Sequence, residues 1–289
     1  MNQFSKSDLL EKLVQKIYKF MSCNDKNLVK KIIINNKSLN ISMKLIYDIL
    51  VKYENYLKRD NNRQDFITSK ILTHIQSIQP NLLNEQVKAI DIGGGNGNVL
   101  SGINKHLNCD KSQFVCVESN DWIENYKYDN DNITYLFWDN ETLDVLDNSC
   151  DIVFCMVSLH HMTDDTISNA LTEIHRILKK DGILIIKEHD CNSKLTHSII
   201  VWEHHLYHLL DCVYDKRVFD FDDYWNNSIY NFKSKKDWQT LLESFGFKYK
   251  HSKNRFLDGG YLTTDVKNAS NLYWDVYSNG TDNLPPISL

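Results

Sequence analysis

The run Ala89-Ile90-Asp91-Ile92-Gly93-Gly94-Gly95-Asn96-Gly97-Asn98 constrains this chain more than any other segment: a short apolar stretch runs straight into a glycine-rich turn. Apolar residues at helical spacing follow from Val99 to Leu107, so the unit reads as strand, turn and helix. Glycines allow backbone angles and a closeness of approach that a Cβ forbids, and the first amides of the helix face whatever the turn admits. A chain built around such a unit is expected to be an α/β protein with a nucleotide-like ligand beyond the carboxyl ends of its strands.

Spacing narrows the ligand. A dinucleotide fingerprint needs glycine at positions 93, 95 and 98, but Asn98 stands at the last of these, whereas Gly93, Gly95 and Gly97 form G-x-G-x-G after Asp91. The pattern Asp-x-Gly-x-Gly-x-Gly resembles the first motif of the class I (Rossmann-like) S-adenosylmethionine-dependent methyltransferases, of methyltransferase-11-like type. Three further segments extend the resemblance in order. Phe114-Val115-Cys116-Val117-Glu118 is a second strand candidate ending in a carboxylate able to accept from both hydroxyls of a ribose; dehydrogenases use a similar acid, so Glu118 alone does not choose between the two families. Ile133 to Trp138 reads as a third strand followed by Asp139-Asn140, and Ser149 to His161 resembles the family's fourth strand and its Leu-His-His loop. Ala170 to Ile186 resembles the subsequent helix, glycine turn at Gly182 and fifth strand.

The resemblance implies a Rossmann-like, seven-stranded and mostly parallel sheet with helices on both faces, and S-adenosyl-L-methionine as cofactor. It assigns Gly93, Gly95 and Gly97 to the cofactor's amino-acid end, Asp91 to fixing the turn, and Glu118 to the ribose. Asp139 and Asn140 fall to the adenine, and main chain at Cys155 and Met156 completes the pocket. Arg63, on the helical lead-in, is a candidate partner for the methionine carboxylate, against a plain surface role.

Methyl transfer from a sulfonium is a direct displacement, so the protein chiefly aligns the acceptor and excludes water; a base is needed only when the acceptor must lose a proton. The candidates are His161 after strand four, and Lys187 and His189 at the end of strand five, with helix capping and packing as the competing roles. Lys187 is superficially similar to the lysine of RNA ribose 2′-O-methyltransferases, but Cys155-Met156 stands where their aspartate is expected. With proline only at 80, 285 and 286, neither an Asn/Asp-Pro-Pro-aromatic nor a Pro-Cys motif can follow strand four, which excludes the usual nucleobase methyltransferase signatures. The net charge of −5 gives the whole molecule no attraction for phosphate backbones, although the lysines between Lys26 and Lys44 and at 233, 235 and 236 form local clusters. The expected acceptor is therefore the oxygen or nitrogen of a small molecule. RNA, at a cap or ribose, is the alternative, and a methyltransferase-fold partner subunit without activity of its own remains a third reading.

Residues 1–85 read as a helical cap region, with apolar residues at 3–4 spacing from Leu9 to Phe20 and from Leu45 to Tyr53, and residues 86–289 as the methyltransferase domain. A helix is expected over 193–210, an irregular aromatic-rich stretch over 211–232, and a helix capped by Ser234 and closed by Gly246 before two final strands. His204 and His208 stand one helical turn apart, but a pair of imidazoles with no third ligand falls short of a metal site, so no metal is expected. Seven cysteines without C-x-x-C spacing read as reduced thiols in a cytoplasmic protein. No apolar run approaches the ~18 residues of a membrane span, so no membrane partner is expected.

Overall fold

Apolar side chains alternate between two buried faces along the central strands, and that alternation sets the architecture. The structure, a computed structural model, describes residues 6–35, 38–57, 68–69, 71–73, 75–76, 79–80, 82, 86–106, 113–118, 133–254 and 271–279. In chain order the elements are α1 (Lys6–Ile17), α2 (Cys23–Asn35), α3 (Leu39–Val51), β1 (Lys88–Ile92), α4 (Asn98–His106), β2 (Gln113–Glu118), β3 (Thr134–Phe137), β4 (Cys150–Met156), α5 (Asp164–Ile177), β5 (Leu178–Asp190), α6 (Lys194–Tyr214), α7 (Phe221–Asn226), α8 (Lys235–Ser244), β6 (Lys248–Asn254) and β7 (Asn271–Ser278). Short 3₁₀ turns cover Glu54–Tyr56 and Leu159–His161. No described helix is long and apolar enough to cross a membrane.

The strands form one seven-stranded sheet in the order β3-β2-β1-β4-β5-β7-β6. Strands β1 to β5 pair in parallel and β6 with β7 antiparallel, the mostly parallel sheet expected from the sequence. Ile90, Ile92, Val153, Cys155, Leu184 and Ile186 point to one face, where α5 contributes Ile167, Leu171 and Ile174 and α8 contributes Trp238 and Leu242. Their neighbours Ala89, Ile152, Phe154, Ile183 and Ile185 point to the other, against Leu100 and Ile103 of α4 and Ile71 and Ile75. A period of two with both faces apolar is what a parallel sheet between helices demands.

The chain divides into two compact units. One holds the sheet, with described residues from 68 to 190, 231 to 254 and 272 to 279; the other holds described residues 6 to 57 together with 191 to 230. The helical region expected over 1–85 is thus shared between them. The physical reason lies in α6: its buried Ile199, Leu206, Leu209, Leu210 and Val213 share one apolar cluster with Leu10, Leu13 and Ile17 of α1 and Met43, Ile46 and Leu50 of α3. Buried polar contacts fix the same packing, with Tyr18 Oη donating to the Leu206 carbonyl at 3.0 Å and Lys16 paired with Glu203 at 3.0 Å.

Ser234 and Gly246 act as expected, and Ser193 adds a cap that was not singled out from the sequence. Ser193 and Ser234 accept from the amides of Thr196 and Asp237 at the starts of α6 and α8, and Gly246 takes φ +86° after α8. Two details differ from the sequence expectation. The stretch 211–232 contains α7, started by Asp220 accepting from the amides of Asp222 and Asp223. The turn expected at Gly182 is instead an irregularity inside β5, where the partners of Cys150 and Ile152 jump from Leu178 to Ile183. A Cβ at Gly182 would lie 2.8 Å from Leu178 Cδ1 and 3.0 Å from the Cys150 carbonyl, so the close packing there requires glycine.

Leu184 is fully buried in the middle of β5. Leu184→Ala should lower the unfolding free energy by about 2–5 kcal/mol in urea titration; a loss under about 1 kcal/mol would contradict the packing described.

Candidate functional site

The parallel strands end along one edge of the sheet, and polar side chains collect there. After β1 the chain turns through Gly93, Gly95 and Gly97, all left-handed at φ +68°, +60° and +70°. These are the three glycines selected by their spacing. Gly93 shows why no larger residue fits: besides the unfavourable angle, a Cβ would stand 2.5 Å from the Cβ of Ser158. The turn is pinned by Gly93 N–H donating to the Val117 carbonyl at 2.9 Å and by Gly97 N–H donating to the Gly94 carbonyl at 3.1 Å. Tyr135 Oη reaches across from β3 to the Asn96 carbonyl at 3.0 Å.

Two carboxylates lie under this turn. Asp91 is fully buried, and neither of its oxygens has a hydrogen-bond partner among the described residues. Burial holds its carboxyl well above the ordinary carboxylate range, and the neighbouring charge of Glu118 raises it further. Glu118, at the end of β2, accepts the Gly95 N–H at 2.7 Å and so ties the turn to the adjacent strand. A buried orphan carboxylate beside a second acid, below a turn with no room for a Cβ, fits a ligand that brings positive charge and hydroxyl groups. This is compatible with the methionine and ribose parts of S-adenosylmethionine.

The other expected residues stand along the same strand ends. Asp139 and Asn140 follow β3, both exposed; Asp139 Oδ1 accepts the Glu141 N–H at 3.0 Å, and the Asn140 carbonyl accepts from Asn169 Nδ2 at 2.9 Å. Cys155 and Met156 end β4, with Met156 opposite Lys187 of β5. Burial pushes the Cys155 thiol far up, so it is no nucleophile. His161 is exposed on the 3₁₀ turn, whereas Lys187 and His189 are buried in β5. His189 packs edge-on against His160 and Phe232, with ring centres 5.3 and 5.7 Å apart. Arg63 lies outside the described residues.

Glu188 was not among the residues singled out from the sequence, although it sits between Lys187 and His189. It is fully buried, accepts the Leu159 N–H at 3.0 Å and meets His160 Nδ1 at 2.5 Å. In the helical unit, His204 Nδ1 is engaged with the Ile200 carbonyl at 2.8 Å, while His208 stacks on Tyr224 and lies 3.5 Å from Cys212 Sγ.

Residues 90–186 match the family model described as a methyltransferase domain. Among solved structures, the CurJ carbon methyltransferase superposes with a TM-score of 0.50 at 15% identity, covering 96% of this chain and 68% of that one. A protein of Galdieria sulphuraria, provisionally described as a sarcosine dimethylglycine methyltransferase, also gives 0.50, at 14% identity over 75% of this chain and 86% of its own. A SAM-dependent methyltransferase from Aquifex aeolicus gives 0.49 at 14% identity, over 78% and 97%. No curated protein matches the sequence. The fold is the Rossmann-like class I methyltransferase fold, within which residues 90–186 match the methyltransferase-domain model.

Because its folded carboxyl value is raised, Asp91 favours folding most when protonated, below the ordinary carboxylate range, and this contribution is lost as pH rises toward the folded value. Asp91→Asn should therefore stabilise the ligand-free protein more at about pH 8 than at about pH 5 in thermal unfolding. An equal change at both pH values would show that Asp91 titrates normally.

Proposed function

We propose that this chain, built on the class I fold, is an S-adenosylmethionine-dependent methyltransferase acting in the cytoplasm on an oxygen or nitrogen nucleophile of a small molecule. The observation that carries the cofactor half is Asp91, a fully buried carboxylate with no hydrogen-bond partner among the described residues, beside Glu118 and under the glycine turn. A carboxyl so buried beside a second acid resists ionisation until a cationic group joins it. When bound, S-adenosylmethionine supplies an electrophilic methyl group on a sulfonium.

The chain's own residues then divide the work. Gly93, Gly95 and Gly97 let the main chain approach the cofactor's amino-acid end, Asp91 balances its positive charge, and Glu118 accepts from the ribose while holding the turn. Asp139 and Asn140 are assigned to the adenine, the main chain at Cys155 and Met156 to the pocket wall, and Arg63 to the methionine carboxylate. On the acceptor side, His161, His189 and Lys187 are the groups proposed to orient the nucleophile or take its proton. Lys187 and His189 are buried, which suits a small enclosed acceptor better than a polyanion crossing the surface, and the net charge of −5 favours the same choice. The buried thiols Cys116, Cys150, Cys155 and Cys212 support a reducing compartment.

Calorimetric titration with S-adenosylmethionine, S-adenosylhomocysteine and NAD tests the reading. The first two should bind, NAD should not, and Glu118→Ala should weaken binding at least about tenfold, since it removes both a ligand acceptor and the anchor of Gly95. Binding of NAD alone would overturn the cofactor assignment. Turnover with small nucleophiles, with capped RNA, or with neither then separates the proposed acceptor from the RNA and silent-partner alternatives.

A further inference from the structure

The segment after β4 is held in an unfavourable conformation. Val157, a β-branched residue, has φ +62°, in the left-handed region that such side chains rarely enter. Its N–H donates to the Lys187 carbonyl at 2.7 Å. The next residue, Ser158, donates its Oγ to the Ile92 carbonyl at 2.8 Å and fills the space that a Cβ on Gly93 would need. The strained turn is thus in direct contact with the start of the glycine turn.

One side chain anchors the far side of the same segment. Glu188 takes the Leu159 N–H on Oε1 and His160 Nδ1 on Oε2, and both side chains are fully buried. The His160 carbonyl in turn accepts the Asn231 N–H at 2.8 Å, and its ring lies 4.8 Å from that of Phe232. An apolar pair of similar volume would fill the space without fixing the Leu159 amide, so a buried carboxylate here gains direction at the cost of desolvation.

We propose that Glu188 is a positioning residue for the cofactor turn, acting through Leu159, His160 and Ser158 to hold Gly93 in place. The inference rests on the methyltransferase reading of this site. Burial, the largest influence, raises the Glu188 carboxyl and lowers the His160 imidazole, and both shifts oppose a full ion pair. His161 on the turn opposes the rise, the His189 amide on the same strand also favours the ionised form, and Cys155 of β4 and Tyr273 of β7 are the other titratable groups facing Glu188. An ionised Glu188 accepts from Nδ1–H, and a protonated one donates to bare Nδ1. The clamp therefore survives either state, and glutamine can reproduce the second.

Calorimetry of the full chain with S-adenosylhomocysteine, alongside thermal unfolding, provides the test. Glu188→Leu should raise Kd about tenfold or more, Ser158→Ala about three- to tenfold, and Glu188→Gln should stay within about threefold of the unmodified protein. A role in stability alone would lower the melting temperature of Glu188→Leu while leaving Kd unchanged, and that result overturns the proposal. If Glu188→Leu does not fold, Ser158→Ala decides: weaker binding supports the coupling to Gly93, and unchanged binding overturns it. Failure of the unmodified protein to bind sinks the methyltransferase reading and the positioning role together, whereas tight binding by every variant sinks the positioning role alone.

Discussion

A fully buried carboxylate beside a second acid resists ionisation until a compensating cation joins it. That constraint, between Asp91 on β1 and Glu118 on β2, organises the rest of the site. Glu118 accepts from the Gly95 amide, whereas Asp91 has no hydrogen-bond partner among the described residues. A fold that keeps such a carboxylate at the end of its central strand is destabilised in the ligand-free state and gains when a positively charged ligand arrives. The glycines above it matter because they leave the main chain bare at that point.

The sheet concentrates polar chemistry by exclusion. Both faces of β1, β4 and β5 are covered by apolar clusters, which leave little place for a charged group along the middle of these three strands. The buried polar residues Asp91, Ser158, His160, Lys187, Glu188 and His189 instead gather where β1, β4 and β5 end. Each imposes a desolvation cost that core packing must offset, and such clusters are where binding and proton transfer are arranged. The strained Val157 belongs to the same edge, held by its hydrogen bond to Lys187 and by the Glu188 contacts two residues on.

Much of this was legible in the residues. The positions of Gly93, Gly95 and Gly97 encode left-handed angles that few other residues tolerate, and all three adopt them. Short apolar runs separated by helical patterns located the five parallel strands, and a serine cap located α8. What escaped depended on distant contacts. Nothing in Lys187-Glu188-His189 singles out the glutamate, because its partners Leu159 and His160 lie 29 and 28 residues away. Valine at 157 carries no local signal for a left-handed angle; the surrounding bonds impose it. The apolar face of α6 was readable, but the pattern of a helix does not name which other helix will cover it, and here α1 and α3 do.

The most direct test is a crystal structure of the protein grown with S-adenosylhomocysteine. The account predicts the ligand's ammonium group balancing Asp91 and its ribose hydroxyls on Glu118, with the glycine turn unchanged. A ligand seated away from these two acids, or Asp91 still without a partner in the complex, would contradict it.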